Sequence, residues 1–371
     1  MSKNTQEIPF TELVERGASL IRVSPDSWGR LRGVLQDVYL RELTTKWDWN
    51  FLFVSSAITT IQQYNTGTAS INTDSNSVTF SSDAILTAAM TGRKIKFDGN
   101  DAVYDFTQSN TTAGTVIPNM QGPANLSSTA YRIFQPTYAL APDFDRFPKD
   151  GGVYRWEGGR KRLLPEQSFQ EYVRDYMSTP ALPENVRLVT QDTAGNQQLE
   201  MRPAPKDSRV YGYDYLKRLR PLIETTAGFI KGISANSTTV DGLTTARFNE
   251  ATTGDWLRVD ALGKGNDSQW YRILAIADNS SLTLSSAFAN TAITSSANYT
   301  ISRAPEIPVR LHPAVLYGAI RSIALDQNDK DNAVYYNAKL ADVLSDGKRI
   351  YMSRVYAQEV DLVATEWQYR R

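Results

Sequence analysis

Short carboxylate clusters are the residues of this chain whose types and spacing could do chemistry. Asp98, Asp101 and Asp105 form one group, and Asp143 and Asp145 another. Paired acids can serve as general acid and base on a glycosidic bond. The first group, however, straddles the turn Asp98-Gly99-Asn100, and Asp143 follows Pro142, so both read as turn residues. The loop from Asp326 puts Asp326, Asn328 and Lys330 at the first, third and fifth positions of a calcium loop. It puts Asp331 where the turn glycine belongs and Asn337 where the bidentate Glu belongs, so it reads as a solvated helix–helix turn. His312 is the single histidine and there is no cysteine, which removes the usual zinc ligands and any disulfide framework. His312 precedes Pro313 at a helix start and reads as a capping or packing residue. Gly263-Lys264-Gly265 lacks the spacing and the hydroxyl residue of a phosphate loop. The expectation is no catalytic residue, no cofactor and no metal site.

The 371 residues give room for two or three domains. Forty basic and forty acidic residues cancel, whereas a chain gripping nucleic acid normally shows a net basic face. Net zero still allows a surface past which DNA slides. Arg160-Lys161-Arg162 and Lys217-Arg218-Leu219-Arg220 are short basic groups diluted by nearby acids, and read as solvated faces. Met1 to Phe10 is polar, which predicts no signal peptide, and no apolar run approaches a membrane span. A soluble protein made in the cytosol is expected.

Ser24 to Phe53 must position much of the rest. Ser24 is a good N-cap and Pro25 fits the first helical position. Leu31, Leu35, Val38, Tyr39, Leu43 and Trp47 recur at helical spacing on one stripe. Trp47, Trp49 and Phe51, spaced by two, predict a helix end near Lys46 and a strand start near Asn50. Residues 11–22 read as a short helix before it. Pro313 opens a helix through Leu316 and Ile320, and a second helix carries Leu340 and Leu344. The simplest assembly packs these terminal helices into a bundle with a core of Leu31, Leu35, Val38, Leu43, Trp47, Trp49, Phe51, Leu316, Ile320, Leu340 and Leu344. The fold class expected is α+β: that bundle carries two related small β-sandwich or barrel insertions and a small α+β unit.

The stretches are 1–54, N-terminal helices; 55–138, first β-domain; 139–224, the α+β unit; 225–304, second β-domain; 305–353, C-terminal helix pair; and 354–371, a docking arm. Ser/Thr/Asn-rich composition with short β-forming runs marks both β-domains. They also align: Thr91-Gly92-Arg93-Lys94-Ile95-Lys96-Phe97-Asp98 matches Thr253-Gly254-Asp255-Trp256-Leu257-Arg258-Val259-Asp260. Ser75 and Val78 match Ser237 and Val240, and Tyr131 matches Tyr299. In the α+β unit, Glu157-Gly158-Gly159-Arg160 joins a hairpin, and Pro165 opens a helix to about Met177. The arm carries Tyr356, Val360, Leu362, Trp367, Tyr369, Arg370 and Arg371, including residue types that dominate binding hot spots.

In this order, four segments resemble those of the head-to-tail adaptor, or neck, proteins of tailed bacteriophages. They are Trp47-Asp48-Trp49-Asn50-Phe51-Leu52 at the helix end, Leu140-Ala141-Pro142-Asp143-Phe144-Asp145-Arg146-Phe147, Leu316-Tyr317-Gly318-Ala319-Ile320-Arg321, and the Gly-rich β repeat. The resemblance implies a non-enzymatic virion protein in the neck region, assembled in the host cytoplasm. It implies a homo-oligomeric ring, usually dodecameric, that extends the DNA channel without specific DNA binding and without a membrane. The portal protein would sit above, gripped by the arm, and the tail tube or nozzle below. The β-domains would be peripheral and could hold tail fibres. The competing reading is a tail-associated, β-rich receptor- or glycan-binding protein.

Overall fold

The computed structural model describes residues 7–22, 28–45, 47–149, 151–167, 180–260, 269–289, 292–293 and 296–352. The expected Ser24–Pro25 cap, residues 168–179 of the helix expected from Pro165 and the whole arm lie outside these residues, while the described start of that stretch is not helical and bridges Glu166 to Val186. The chain divides into two compact units, Met1–Phe51 with Leu219–Arg371, and Leu52–Arg218.

The first unit holds the helices. α1 spans Phe10–Ile21 and buries Phe10, Leu13, Val14, Gly17 and Ala18. It stops at Arg22, whose left-handed backbone returns its N–H to the Ala18 carbonyl. α2 spans Trp28–Asp37 and runs on through a π-helical turn, Val38–Glu42, to Thr45. α3 spans His312–Asp326 and is apolar nearly all round, as a central helix must be. The π turn crosses α3 at Gly318, where a Cβ would lie 2.7 Å from Val38 Cγ1, so only glycine allows this approach. α4 spans Lys330–Tyr351, is N-capped by Asp329, and buries only Ala333, Tyr336, Leu340 and Gly347.

The same unit holds a seven-stranded antiparallel sheet. Its order is Glu224–Thr225, Asn298–Ser302, Trp256–Asp260, Tyr271–Asp278, Ser281–Leu284, Thr239–Gly242, Ile230–Gly232. This overturns the helical bundle carrying β insertions. Among the described residues the protein is mainly β, with four antiparallel sheets and only short helices. The helices share one body with this sheet. Phe10 N donates to Arg303 O at 3.0 Å and Thr11 N to Ser302 Oγ at 2.9 Å. Arg258 donates to Glu15 at 3.0 Å, Arg32 to Glu224 at 2.6 Å, and Leu222 N to Gln36 at 3.0 Å. An apolar stripe declares that it needs cover, but not whether helix or sheet supplies it.

The second unit holds the other three sheets. Its seven-stranded sheet runs Leu126–Thr129, Ala69–Ile71, Ser77–Phe80, Ala113–Ile117, Val103–Asn110, Lys94–Phe97, Tyr131–Phe134. Set aside Leu126–Thr129 here and Glu224–Thr225 in the first unit, and the remaining six strands of each sheet share one order. The likeness reaches single bonds. Asp74 and Asn236 both have φ 61°. Ser75 Oγ accepts from Ser77 N, and Ser237 Oγ from Thr239 N. Tyr104 OH accepts from Gln121 N, and Tyr271 OH from Ala289 N. Tyr131 OH donates to Thr66 O, and Tyr299 OH to Ala227 O. Such repeated tyrosine bonds mark one module used twice.

A five-stranded and a three-stranded sheet complete this unit. The five strands are Phe53–Thr59, Val210–Lys217, Val153–Glu157, Arg160–Leu163 and, off the main path, Phe144–Arg146. The three are Asn185–Gln191, Gln197–Arg202 and Thr137–Ala139. Ile58, Val153, Tyr211, Tyr213 and Tyr215 share a core with Tyr138, Val186, Leu199 and Met201, so the two sheets form a layered pair.

His312 is fully buried at the start of α3. Its Nδ1 accepts from Ile8 N at 3.2 Å, and its Nε2 lies 3.1 Å from Ile307 O, which makes Nε2 the protonated nitrogen. Burial holds its pKa below the ordinary histidine value of about 6.5. The unfolded chain therefore binds a proton that the folded chain refuses. This contribution is complete above about pH 6.5 and is lost as the pH falls from there toward the depressed folded value. The stability of this unit should drop between pH 7.5 and 5.5, by at most about 1.4 kcal/mol per pH unit, and its Tm should fall with it. His312→Gln should flatten that dependence, which thermal melts across the range would read.

Candidate interaction surface

The carboxylates that could have formed a catalytic pair are each held by a partner. Asp105 meets Lys94 at 2.5 Å, Asp98 meets Arg132 at 3.0 Å and Asp101 lies 3.9 Å from Lys96. These are cross-strand charge pairs on one module. Asp143 accepts from Tyr215 OH at 2.6 Å, and Asp145 pairs with Arg146 at 2.8 Å. Burial pushes the Tyr215 phenol well up, and the bond to Asp143 adds to it. Asp329 is occupied as the cap of α4, where it accepts from Asn332 N and Nδ2. Among the described residues no group of acids, histidine or cysteine could hold a metal.

The expected bundle-core residues separate by depth. Leu31, Leu35, Val38, Leu43, Trp49, Leu316, Ile320 and Leu340 are buried. Trp47, Phe51 and Leu344 are half-buried. Trp47 and Leu344 line a cavity of 170 Å³ with Val38, Glu42, Leu43, Arg321, Asn337, Leu340 and Ala341. Arg321 donates to both Glu42 oxygens there, at 2.7 and 2.8 Å. Lys348 Nζ stands 3.3 Å over the Trp47 ring. The aromatic run is therefore not an alternating strand: Trp49 and Phe51 stack at 5.7 Å, and the strand starts at Phe53. All seven arm residues, Tyr356 to Arg371, lie outside the described residues.

The surface that sequence reading missed is the outer face of the five-stranded sheet. One face of that sheet builds the core just described. Pairing fixes what lies on the other. Trp156 stands opposite Lys161, and Tyr154 opposite Leu163 on one side and Gly212 on the other. Val210, Gly212 and Asp214 stand opposite Thr59, Ala57 and Ser55. In antiparallel ladders such partners share a face. Trp156 is 63% exposed, Val210 62% and Leu163 52%. Exposed apolar residues gathered on one sheet face make it a candidate interaction surface.

The face is braced by contacts among its own side chains. Tyr154 lies across Gly212, where a Cβ would come within 2.5 Å of the ring. Lys161 Nζ sits 4.1 Å over that ring and donates to Asp214 at 3.2 Å, while Ser55 Oγ donates to Asp214 at 2.6 Å. Trp156 meets Tyr154 edge-on at 6.2 Å. A polar centre is thus ringed by Trp156, Val210, Leu163 and Ala57.

The hairpin that carries this face turns at Gly158 and Gly159, with φ 58° and 80°, as a two-residue primed turn demands. Its last strand, Arg160–Leu163, ends the sheet and is exposed at every residue. Arg155, Glu157, Arg160 and Arg162 alternate onto the opposite face. Arg162 donates to Glu157 at 3.0 Å, and Arg155 donates to Pro183 O at 2.8 Å. The Arg162 bond, with the Arg155 charge behind it, holds the Glu157 carboxyl below the usual range. The second basic group is spent differently: Arg218 donates to Pro142 O, and Arg220 pairs with Glu306. The signal for the open face was present in Val153-Tyr154-Arg155-Trp156, which carries a bulky residue toward both sides.

No protein-family model matches the chain, and no curated protein matches it. Among the described residues, no helix is long and apolar enough to cross a membrane.

Proposed function

We propose that the protein is a structural virion component, an adaptor ring that joins the portal of a phage capsid to the tail and extends the DNA channel. The observation that carries this reading is the amount of ordered surface left without a partner. α4 is a 22-residue helix with four buried residues, and it leaves Val334 71% and Tyr335 55% exposed. Trp156, Val210 and Leu163 add an open sheet face. A subunit that uses several distinct faces suits a ring, whose contacts are heterologous. Zero net charge suits a conduit, since a strongly basic lumen would retain DNA at each phosphate. The four resembling segments supply the direction of the reading. The role is structural rather than catalytic, with the β modules outward and available to fibres.

The aromatic and basic end of the chain, Trp367, Tyr369, Arg370 and Arg371, is the proposed portal contact. Co-sedimentation with purified portal tests it. The full chain should sediment with portal, while chains ending at Ser353 or at Thr365 should stay behind. Unchanged binding by both truncated chains removes the arm from the contact.

The exposed Trp156 favours one competing reading, a tail-associated glycan- or receptor-binding protein, because flat aromatic faces stack on sugars. Mass in solution separates the two, with a trimer favouring the second and a large ring the first. Robust glycan hydrolysis would overturn a purely structural role.

A further inference from the structure

We propose that the edge strand Arg160–Leu163 receives the C-terminal segment Gln358–Val363 of a second copy of this chain as an added β-strand. The inference rests on the ring reading, which supplies the neighbouring copy.

Among the described residues no strand pairs with the outer side of this edge, and the edge is directional. Leu164 N donates to Val153 O at 2.8 Å, and the turn is closed by Glu157 opposite Arg160. Bonded pairs alternate along an antiparallel ladder, so Arg160 and Arg162 spend their backbone groups on the inner neighbour. The backbone groups of Lys161 and Leu163 then point away from the sheet. Such a row is a template for another strand.

The side chains say which strand. Arg160-Lys161-Arg162 opposite itself would set like charges face to face, so two copies of this edge repel. The edge calls for a segment with acids on one side and apolar residues on the other. The acids would meet Arg160 and Arg162. The apolar residues would extend the face of Trp156 and Leu163. Of the stretches outside the described residues, Gln358-Glu359-Val360-Asp361-Leu362-Val363 has that alternation. Residues 1–6 and 261–268 do not, and 168–179 is spaced for a helix. From Ser353, the chain reaches Gln358 over roughly 20 Å when extended, so the segment can leave its own α4. Each copy would give one arm and receive one, and passed head to tail this contact closes a ring when the rotation between copies allows it.

The chain has no cysteine, so paired cysteines report contact cleanly. Full-length chains carrying Arg162→Cys are mixed with chains carrying Glu359→Cys, Asp361→Cys or Val360→Cys, and oxidised. Heterodimers are expected with Glu359→Cys or Asp361→Cys, at least fivefold above Val360→Cys, which faces the other side. With Leu163→Cys and Leu362→Cys as the reporting pair, Arg160→Glu with Arg162→Glu should suppress heterodimers. Glu359→Arg with Asp361→Arg on the donor should restore them. All recipient substitutions are at exposed positions, and circular dichroism checks that the fold is kept. Equal yield from Val360→Cys overturns the strand, and a disulfide that closes within a single chain when Arg162→Cys and Asp361→Cys are placed in the same molecule overturns donation by a second copy. A ring on a sizing column without heterodimers overturns the inference alone. Absence of both ring and heterodimers overturns the ring reading with it.

Discussion

Arg303→Ala should lower the stability of the helix-containing unit by about 3–5 kcal/mol. Arg303 Nε and Nη2 donate to Asp255 at 2.9 and 3.1 Å, with the two side chains 8% and 2% exposed. Nη1 donates to Pro221 O at 2.9 Å, and Nη2 also reaches Thr252 Oγ1 at 3.2 Å. The residue's backbone is held as well, by Ile223 O and by Phe10 N. The guanidinium therefore joins the sheet to the incoming chain at Pro221, while the residue's backbone carbonyl holds the start of α1. Removing it leaves the Asp255 carboxylate buried with only Thr252 for company, and an uncompensated buried charge is the costly case. For a body of this size the Tm should fall by about 10 °C, from roughly 2–4 °C per kcal/mol. Arg303→Lys keeps the charge but not the fork and should fall between. Arg303→Met with Asp255→Leu should recover much of the loss, since no lone charge remains. A Tm within 2 or so degrees of the parent for Arg303→Ala, about 1 kcal/mol or less, would sink the argument.

Trp49→Ala should cost a similar amount, about 3–5 kcal/mol. Trp49 is 1% exposed, and its Nε1 donates to Leu43 O at 2.7 Å. It satisfies a carbonyl that the helix end leaves without an intrahelical donor. It stacks on Phe51, which meets Tyr351 of α4 edge-on at 5.8 Å. Trp49→Phe keeps most of the volume and loses the bond, so it should cost about half as much. Trp47→Ala, at a half-buried ring on the cavity wall, should cost about 1 kcal/mol. Urea melts followed by circular dichroism rank the three. Trp47→Ala as the most damaging change would mean that the depth assigned to these rings is wrong.

The strands were readable where one face is buried and the other wet. Val103–Asn110 and Ser77–Phe80 alternate buried and exposed residues at their starts or throughout, and period two marks them in sequence. The module repeat was readable for the same reason, because buried positions such as Ile95 and Leu257 recur at fixed spacing. The assembly was not readable. The stripe Phe10, Leu13, Val14 looks alike whether a helix or a sheet covers it. The bonds that decide, Phe10 to Arg303 and Thr11 to Ser302, join backbone to residues some 290 positions away. Trp47, Trp49 and Phe51 misled because spacing by two mimics a strand, while a helix-end carbonyl captured the middle ring. The interaction surface escaped because it depends on pairing: Val210 and Trp156 neighbour each other only once two distant strands lie side by side. Zero net charge and the missing cysteines were readable from composition, but they bound function without giving it.

The way the chain enters and leaves its sheets bears on how fast it can fold. Phe53 pairs with Leu216, Tyr64 with Ile133, and Glu224 with Ser302. Each pairing pinches off the residues between as a closed detour. Ile8 and His312 are 304 residues apart along the chain, which by itself suggests a slow search. Once the outer detours have closed, the free path between them is roughly sixty residues, and the entropy of closing it falls by about 1.4 kcal/mol. That is about tenfold in the odds of meeting. Sequence-local β modules that form early would thus act as shortcuts, delivering α1 to α3 late and cheaply, and slowing a single pinch such as Glu224 with Ser302 would delay the helices far more than its own few hydrogen bonds suggest.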